Sequence, residues 1–157
     1  MLEKKPGKNN RKRRIYKLKI SELPCFYCGI CCSKFQPRLS STAAHNLADN
    51  LGISWERFLA DYTDLHWPGT RSFLLRQLNS ACIFLSSADQ RKRTICAIHD
   101  FKPSACLEWK PGITRPECLE GLTKVWDLSV NSAGEICGSK EKIEDFKGLI
   151  REREGPV

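Results

Sequence analysis

The sequence predicts a small α+β domain built from short helices, short antiparallel hairpins and cysteine-rich loops. Apolar residues recur at helical spacing near 41 to 51, 54 to 62 and 139 to 150, whereas between 72 and 98 they form short runs rich in branched and aromatic side chains. Nine cysteines in 157 residues far exceed ordinary usage, and four of them fall in Cys25-Phe-Tyr-Cys28-Gly-Ile-Cys31-Cys32. Core packing gives no reason for so dense a cluster, but metal binding does: thiolates are preferred ligands of zinc and of iron-sulfur clusters, and two-residue spacers let a tight loop aim successive sulfurs at one point. The expected fold is therefore a single, metal-stabilised domain.

The elements follow in chain order. Residues 1 to 20 carry nine Lys or Arg against Glu3 alone and read as a basic, disordered arm. A cysteine-cluster domain then spans 21 to 138, and a C-terminal helix and tail span 139 to 157. After the cluster, Ala43, Ala44, Leu47, Ala48 and Leu51 give a helix over 41 to 51, with Gly52 placed to cap its end. Ser54 caps a second helix whose apolar face is Trp55, Phe58, Leu59 and Tyr62. Phe73 to Leu78, Ala81 to Leu85 and Thr94 to Ile98 read as short strands, the last two forming a hairpin that brings Cys82 near Cys96. Pro103 offers a helix start, with Cys106 one turn later. Pro111-Gly112 and Arg115-Pro116 mark loops, Val125 to Val130 and Glu135 to Gly138 read as strands around a turn, and Ser139 caps a last helix striped by Ile143, Phe146, Leu149 and Ile150. From Arg151 the chain reads as frayed.

Charge and composition narrow the function classes. The body, 21 to 157, holds 17 charges of each sign, so the net +8 comes from the arm. Residues 4 to 19 suit an acidic partner or nucleic acid, for which positive charge and reach suffice, and equally a solvated tail. The start lacks an apolar signal segment, and no 18-residue apolar run exists for a membrane span. A cytoplasmic setting is expected, where thiols stay reduced and clustered cysteines are metal ligands more often than disulfides.

Cys25, Cys28, Cys31, Cys32, Cys82, Cys96, Cys106 and Cys118 make eight candidate ligands, enough for two four-thiolate sites, with Cys137 left over as a small buried residue. In extended chain Cys31 and Cys32 would point apart and serve different centres. Cys25, Cys28 and Cys31 reproduce the first three members of the bacterial ferredoxin run, but Phe35 stands where the fourth cysteine belongs. Two zinc ions, a [4Fe-4S] cluster plus a zinc, or one centre with spare thiols all satisfy the count. His99, three residues after Cys96, reads as a neighbour of the site more readily than a ligand, and His45 and His66 as surface residues.

The ordered series Cys25-x-x-Cys28-Gly29-x-Cys31-Cys32, Leu47-Ala48-x-x-Leu51-Gly52-Ile53-Ser54 with Phe58 and Tyr62, Cys82-Ile83-Phe84-Leu85, Cys96-x-Ile98, Pro103-x-x-Cys106 and Cys118 resembles the YkgJ-type cysteine-cluster family over roughly 22 to 122. The resemblance implies chelation of zinc or iron by these cysteines and no particular activity. Where that family commonly has Tyr and Arg, this chain has His99 and Lys102; the lysine keeps a cation near a thiolate-rich centre. Flagellin lysine N-methylases carry a similar cluster, which makes an iron-sulfur methyl-transfer enzyme one alternative. The chain has neither the CxxxCxxC spacing of radical enzymes nor a GxGxxG turn, and no acid/base or nucleophile constellation stands out. The remaining alternative is a nucleic-acid-associated protein that binds through its arm.

Overall fold

A computed structural model describes residues 14–69, 71–90 and 92–153. It contains six helices: α1 (Ile30–Lys34), α2 (Ser41–Leu51), α3 (Trp55–Tyr62), α4 (Ser104–Leu107), α5 (Pro116–Trp126) and α6 (Lys140–Arg153). Its strands are β1 (Tyr16–Leu18), β2 (Arg38–Ser40), β3 (Ser72–Leu74), β4 (Gln77–Leu78), β5 (Ala81–Cys82), β6 (Ser129–Val130) and β7 (Ile136–Gly138), all paired antiparallel. This is the expected α+β class.

Local chemistry explains most of these elements. Ser40 and Ser54 cap α2 and α3, each side-chain oxygen accepting from the backbone N–H three residues on. Gly52 ends α2 in the left-handed conformation, where it meets no Cβ penalty. Asn79 and Ser80, both at positive φ, join β4 to β5 as a two-residue hairpin turn. Ser139 Oγ accepts from the N–H of Lys142 at the start of α6.

Two apolar cores result. The first packs Leu23, Phe26, Cys118, Leu122, Trp126, Leu128, Ile136, Ile143 and Phe146 between α5, α6 and the sheet β1-β7-β6. The second packs Leu39, Ala44, Leu47, Phe58, Leu75, Phe84 and Ile98 around α2, α3 and the β2-β3 pair. Helix α1 lies at the seam, touching α5 on one side and β5 on the other. The cysteine cluster is thus placed where the two cores meet.

Several expectations change. Helix α5 occupies the stretch read as loop and strand, so strand structure in 125 to 130 shrinks to Ser129–Val130. Pro116 sits at its first turn, where a missing N–H costs nothing, and Cys118, Leu122 and Trp126 share its buried face. The hairpin expected between 81–85 and 94–98 is a single bridge, Leu85 to Cys96, because the loop between them bends around Asp89, which accepts from the Arg93 backbone and side chain. The run 73 to 78 splits, β3 pairing with β2 and β4 with β5. Residues 16 to 18, assigned to the arm, form a strand paired with 136 to 138; the rest of the basic segment, 1 to 13, lies outside the described residues. Helix α6 continues through Arg153 instead of fraying at Arg151, and Ile143, Phe146, Leu149 and Ile150 are its buried stripe, as the spacing predicts.

Phe146 is the hub of the first core, fully buried and edge-on to both Phe26 and Trp126 at 5.4 and 5.3 Å. Phe146→Ala should therefore cost about 3–5 kcal/mol, the range for emptying a buried aromatic site, read from the urea midpoint at unchanged slope.

Candidate metal centre

The loop that carries the cluster is set by its backbone. Tyr27 and Gly29 both take positive φ, 57° and 76°. A Cβ on Gly29 would lie 2.6 Å from Thr94 Oγ1, so the glycine between Cys28 and Cys31 is required by space as well as by conformation. The Thr94 N–H and hydroxyl both donate to Tyr27 O at 2.8 Å, pinning the loop to the segment that carries Cys96. Gly29 then starts α1, so Cys31 and Cys32 lie on a helical turn, not on extended chain. Successive residues there diverge by about 100° instead of pointing to opposite sides, and the two sulfurs stand 4.0 Å apart.

The eight candidate cysteines ring two adjoining cavities. A small one, about 20 Å³, is lined by Cys25, Cys28, Cys31 and Cys118. A larger one, about 130 Å³, is lined by Cys32, Cys82, Cys96 and Cys106, with Cys25 and Cys31 on the wall it shares with the first. Among the described residues no three His, Cys, Asp or Glu side chains converge closely enough to grip one ion as they stand. The sulfurs face common space without meeting at a point. None of the nine cysteines is in a disulfide.

Each thiol is brought there by a different device. Cys118 is on the buried face of α5, 4% exposed. Cys28 rests against the bare Cα of Gly121 on the same helix; a Cβ there would come within 2.4 Å of its sulfur. Cys82 ends the β4-β5 hairpin, Cys96 is held by the bridge to Leu85, and Cys106 lies on α4 behind Pro103. An ion pair between Lys34 and Glu120 ties α1 to α5.

The electrostatics follow the same division. Burial pushes the Cys28 thiol up to about 11, with Cys31, Cys25 and Cys118 adding to the effect of burial. Cys118 is raised by burial and then by Cys31 and Cys25. Burial raises Cys106 to about 12, with Cys82 and Cys96 adding and Lys102 opposing. Cys82 is raised by burial and by Cys96. At the junction Cys32 is held up by donating its S–H to Cys31, which is held down by accepting it.

Metal binding must displace these protons. Uptake should therefore strengthen with pH, and a competition titration with zinc from about pH 6 to about pH 8 should show affinity rising throughout. In the metal-free protein the raised thiols act with the opposite sign. Their protonated form favours the fold, a contribution present below the ordinary value of 9.0 and lost as the pH rises through about 11 at Cys28.

The other sequence candidates fall outside. His99 is exposed beside the Tyr27 ring, at 6.1 Å between centroids, and lines neither cavity. Cys137 lies on β7, its S–H donating to Glu135 O, in a different part of the fold. His45 stacks on Trp55 at 3.7 Å, and His66 is exposed beside Asp64. Lys102 lines the larger cavity, while Trp109 and Pro111 line both; spacing alone gave no signal for the last two.

A small α+β domain with a belt of thiols between two cores is a recognisable class of metal-chelating module. The chain belongs to the CxxCxxCC family, described as "Putative zinc- or iron-chelating domain", whose pattern matches residues 24–132, from the start of the cluster through α5 and β6. It is thus a metal-binding domain of the zinc- or iron-chelating kind. No curated protein and no solved structure matches the chain. No helix among the described residues is long and apolar enough to cross a membrane.

Proposed function

We propose that this protein is a two-centre metal-binding domain. In this reading one centre is ligated by Cys25, Cys28, Cys31 and Cys118, and the other by Cys32, Cys82, Cys96 and Cys106. The observation that carries it is that Cys28 and Cys118 line only the smaller cavity and Cys32, Cys82, Cys96 and Cys106 only the larger, with Cys25 and Cys31 on the wall between them. Contact of α1 with α5 on one side and β5 on the other supports the same partition. Four thiolates are a complete tetrahedral set for zinc and a complete set for a cubane cluster, so each centre is closed and its first role is structural.

Zinc in both centres is the simpler occupancy. A second reading puts an iron-sulfur cluster in the larger cavity, favoured by its volume of about 130 Å³ against about 20 Å³ for its neighbour. Protein purified without oxygen decides between them through zinc, iron and acid-labile sulfide per chain, together with the visible spectrum. Two zinc ions in colourless protein would end the iron-sulfur reading. Fewer than two centres of any kind would end the two-centre proposal.

Nucleic-acid association through residues 4 to 19 rests on charge alone. Comparing RNA and DNA binding by the full chain and by a variant lacking residues 1 to 13 tests it; equal binding, or none in either form, removes the idea.

A further inference from the structure

The two thiol sets are supported very differently. Around the Cys25 set the neighbours belong to the first core: Phe26 and Leu122 are fully buried beside Cys118, and Gly121 lets the α5 backbone close directly on Cys28. Helix α5, which presents Cys118 and closes on Cys28, runs for eleven residues with a buried face, so it moves only if the core opens. The void between these thiols, about 20 Å³, is far smaller than the about 130 Å³ of its neighbour.

Around the Cys32 set the supports are short. Cys82 sits on a two-residue strand, Cys96 on an isolated bridge and Cys106 on a four-residue helix. Two of them have chain neighbours that face solvent: Ile95 beside Cys96 is 48% and Leu107 beside Cys106 55% exposed, and Phe35 on the cavity wall is 42% exposed. The cavity, about 130 Å³, has room for several small-molecule atoms beside the sulfurs. Short elements open locally at lower free-energy cost than a long buried helix, without global unfolding.

We infer that the two centres are unequal: the one held by Cys25, Cys28, Cys31 and Cys118 is permanent, and the one held by Cys32, Cys82, Cys96 and Cys106 exchanges its metal with ligands from solution. This rests on the two-centre reading above. Exchange requires no redox partner. An incoming ligand donates an electron pair to the metal, a protein thiolate leaves and takes up a proton from water, and four such substitutions release the ion. The domain would then take up and hand on metal through the larger cavity while the other centre keeps α1 joined to the first core.

The experiment uses the full chain purified without oxygen with the metal it carries. Excess EDTA is added, and the metal retained on the protein is counted over time. At each time point the thiols are alkylated with iodoacetamide and located by fragment mass spectrometry, which separates Cys31 from Cys32. Two phases are expected, the first at least about tenfold faster. Cys32, Cys82, Cys96 and Cys106 should be alkylated in the first and Cys25, Cys28, Cys31 and Cys118 only in the second. Loss of all metal in one phase, or early alkylation of Cys28 and Cys118, overturns the inequality while leaving two centres in place. A starting content of a single centre overturns the two-centre reading itself and this inference with it.

Discussion

Removing all metal from the protein should unfold most of residues 22 to 122, not merely empty two cavities. Structural zinc in small domains contributes apparent free energies of about 10–16 kcal/mol, while a whole domain of this size is stable by only about 5–15 kcal/mol. The metal is thus of the same order as the entire stability. Here it would join two cores, neither of which closes over the seam by itself, since Cys28 and Cys118 pack with the first and Cys82 and Cys96 with the second. Near-ultraviolet circular dichroism during anaerobic chelation checks this, with recovery on returning the metal. A metal-free protein that melts with the same denaturant midpoint would show that the cores suffice alone.

Gly121→Ala should be strongly damaging, against the usual rule for helices. On propensity alone the change favours a helix by about 1 kcal/mol. At this position the new methyl would stand 2.4 Å from Cys28 Sγ, 2.8 Å from Cys28 Cβ and 3.2 Å from the Phe26 ring, all held by the first core. Overpacking of this kind costs about 1–3 kcal/mol, and it would push Cys28 away from the other three thiols of its set. The expected result is one metal centre lost per chain along with a lower unfolding midpoint. Gly148→Ala on α6 is the control: nothing lies within 4 Å of its Cβ position, so it should stabilise by about 0.5–1 kcal/mol and leave metal content unchanged. Full metal content in the Gly121 variant would mean that Cys28 is not a ligand.

The contrast between these two glycines also shows what is legible in a sequence. Helices α2, α3 and α6 are readable because a serine starts each of them and their apolar residues keep the period. Helix α5 is obscured by Pro116 and Gly121, residues that ordinarily punctuate loops. Here the proline starts the helix, and the glycine makes room for a cysteine ninety-three positions earlier. Strand β1 is hidden for another reason: its residues alternate within a run of charge, and its partner lies at the far end of the chain. The eight cysteines are visible as a group from spacing and order. Which of them face the same cavity is not, because that depends on how α1 is wedged between α5 and β5. The helical turn at Cys31–Cys32 replaces the extended geometry expected there, yet its two neighbouring sulfurs still border different sets.

The pairing of β1 with β7 bears on how the protein is made. Tyr16–Leu18 emerges early from the ribosome, yet its partner Ile136–Gly138 and the overlying α6 are synthesised more than a hundred residues later. At about 5–20 residues per second, Cys25 to Cys32 wait roughly 6–24 s before the first core can close behind them. For most of that interval Cys25, Cys28, Cys31 and Cys32 stand on a nascent chain without the helix that carries Cys118. Metal supply during translation, and not only affinity afterwards, then decides how much of the protein matures.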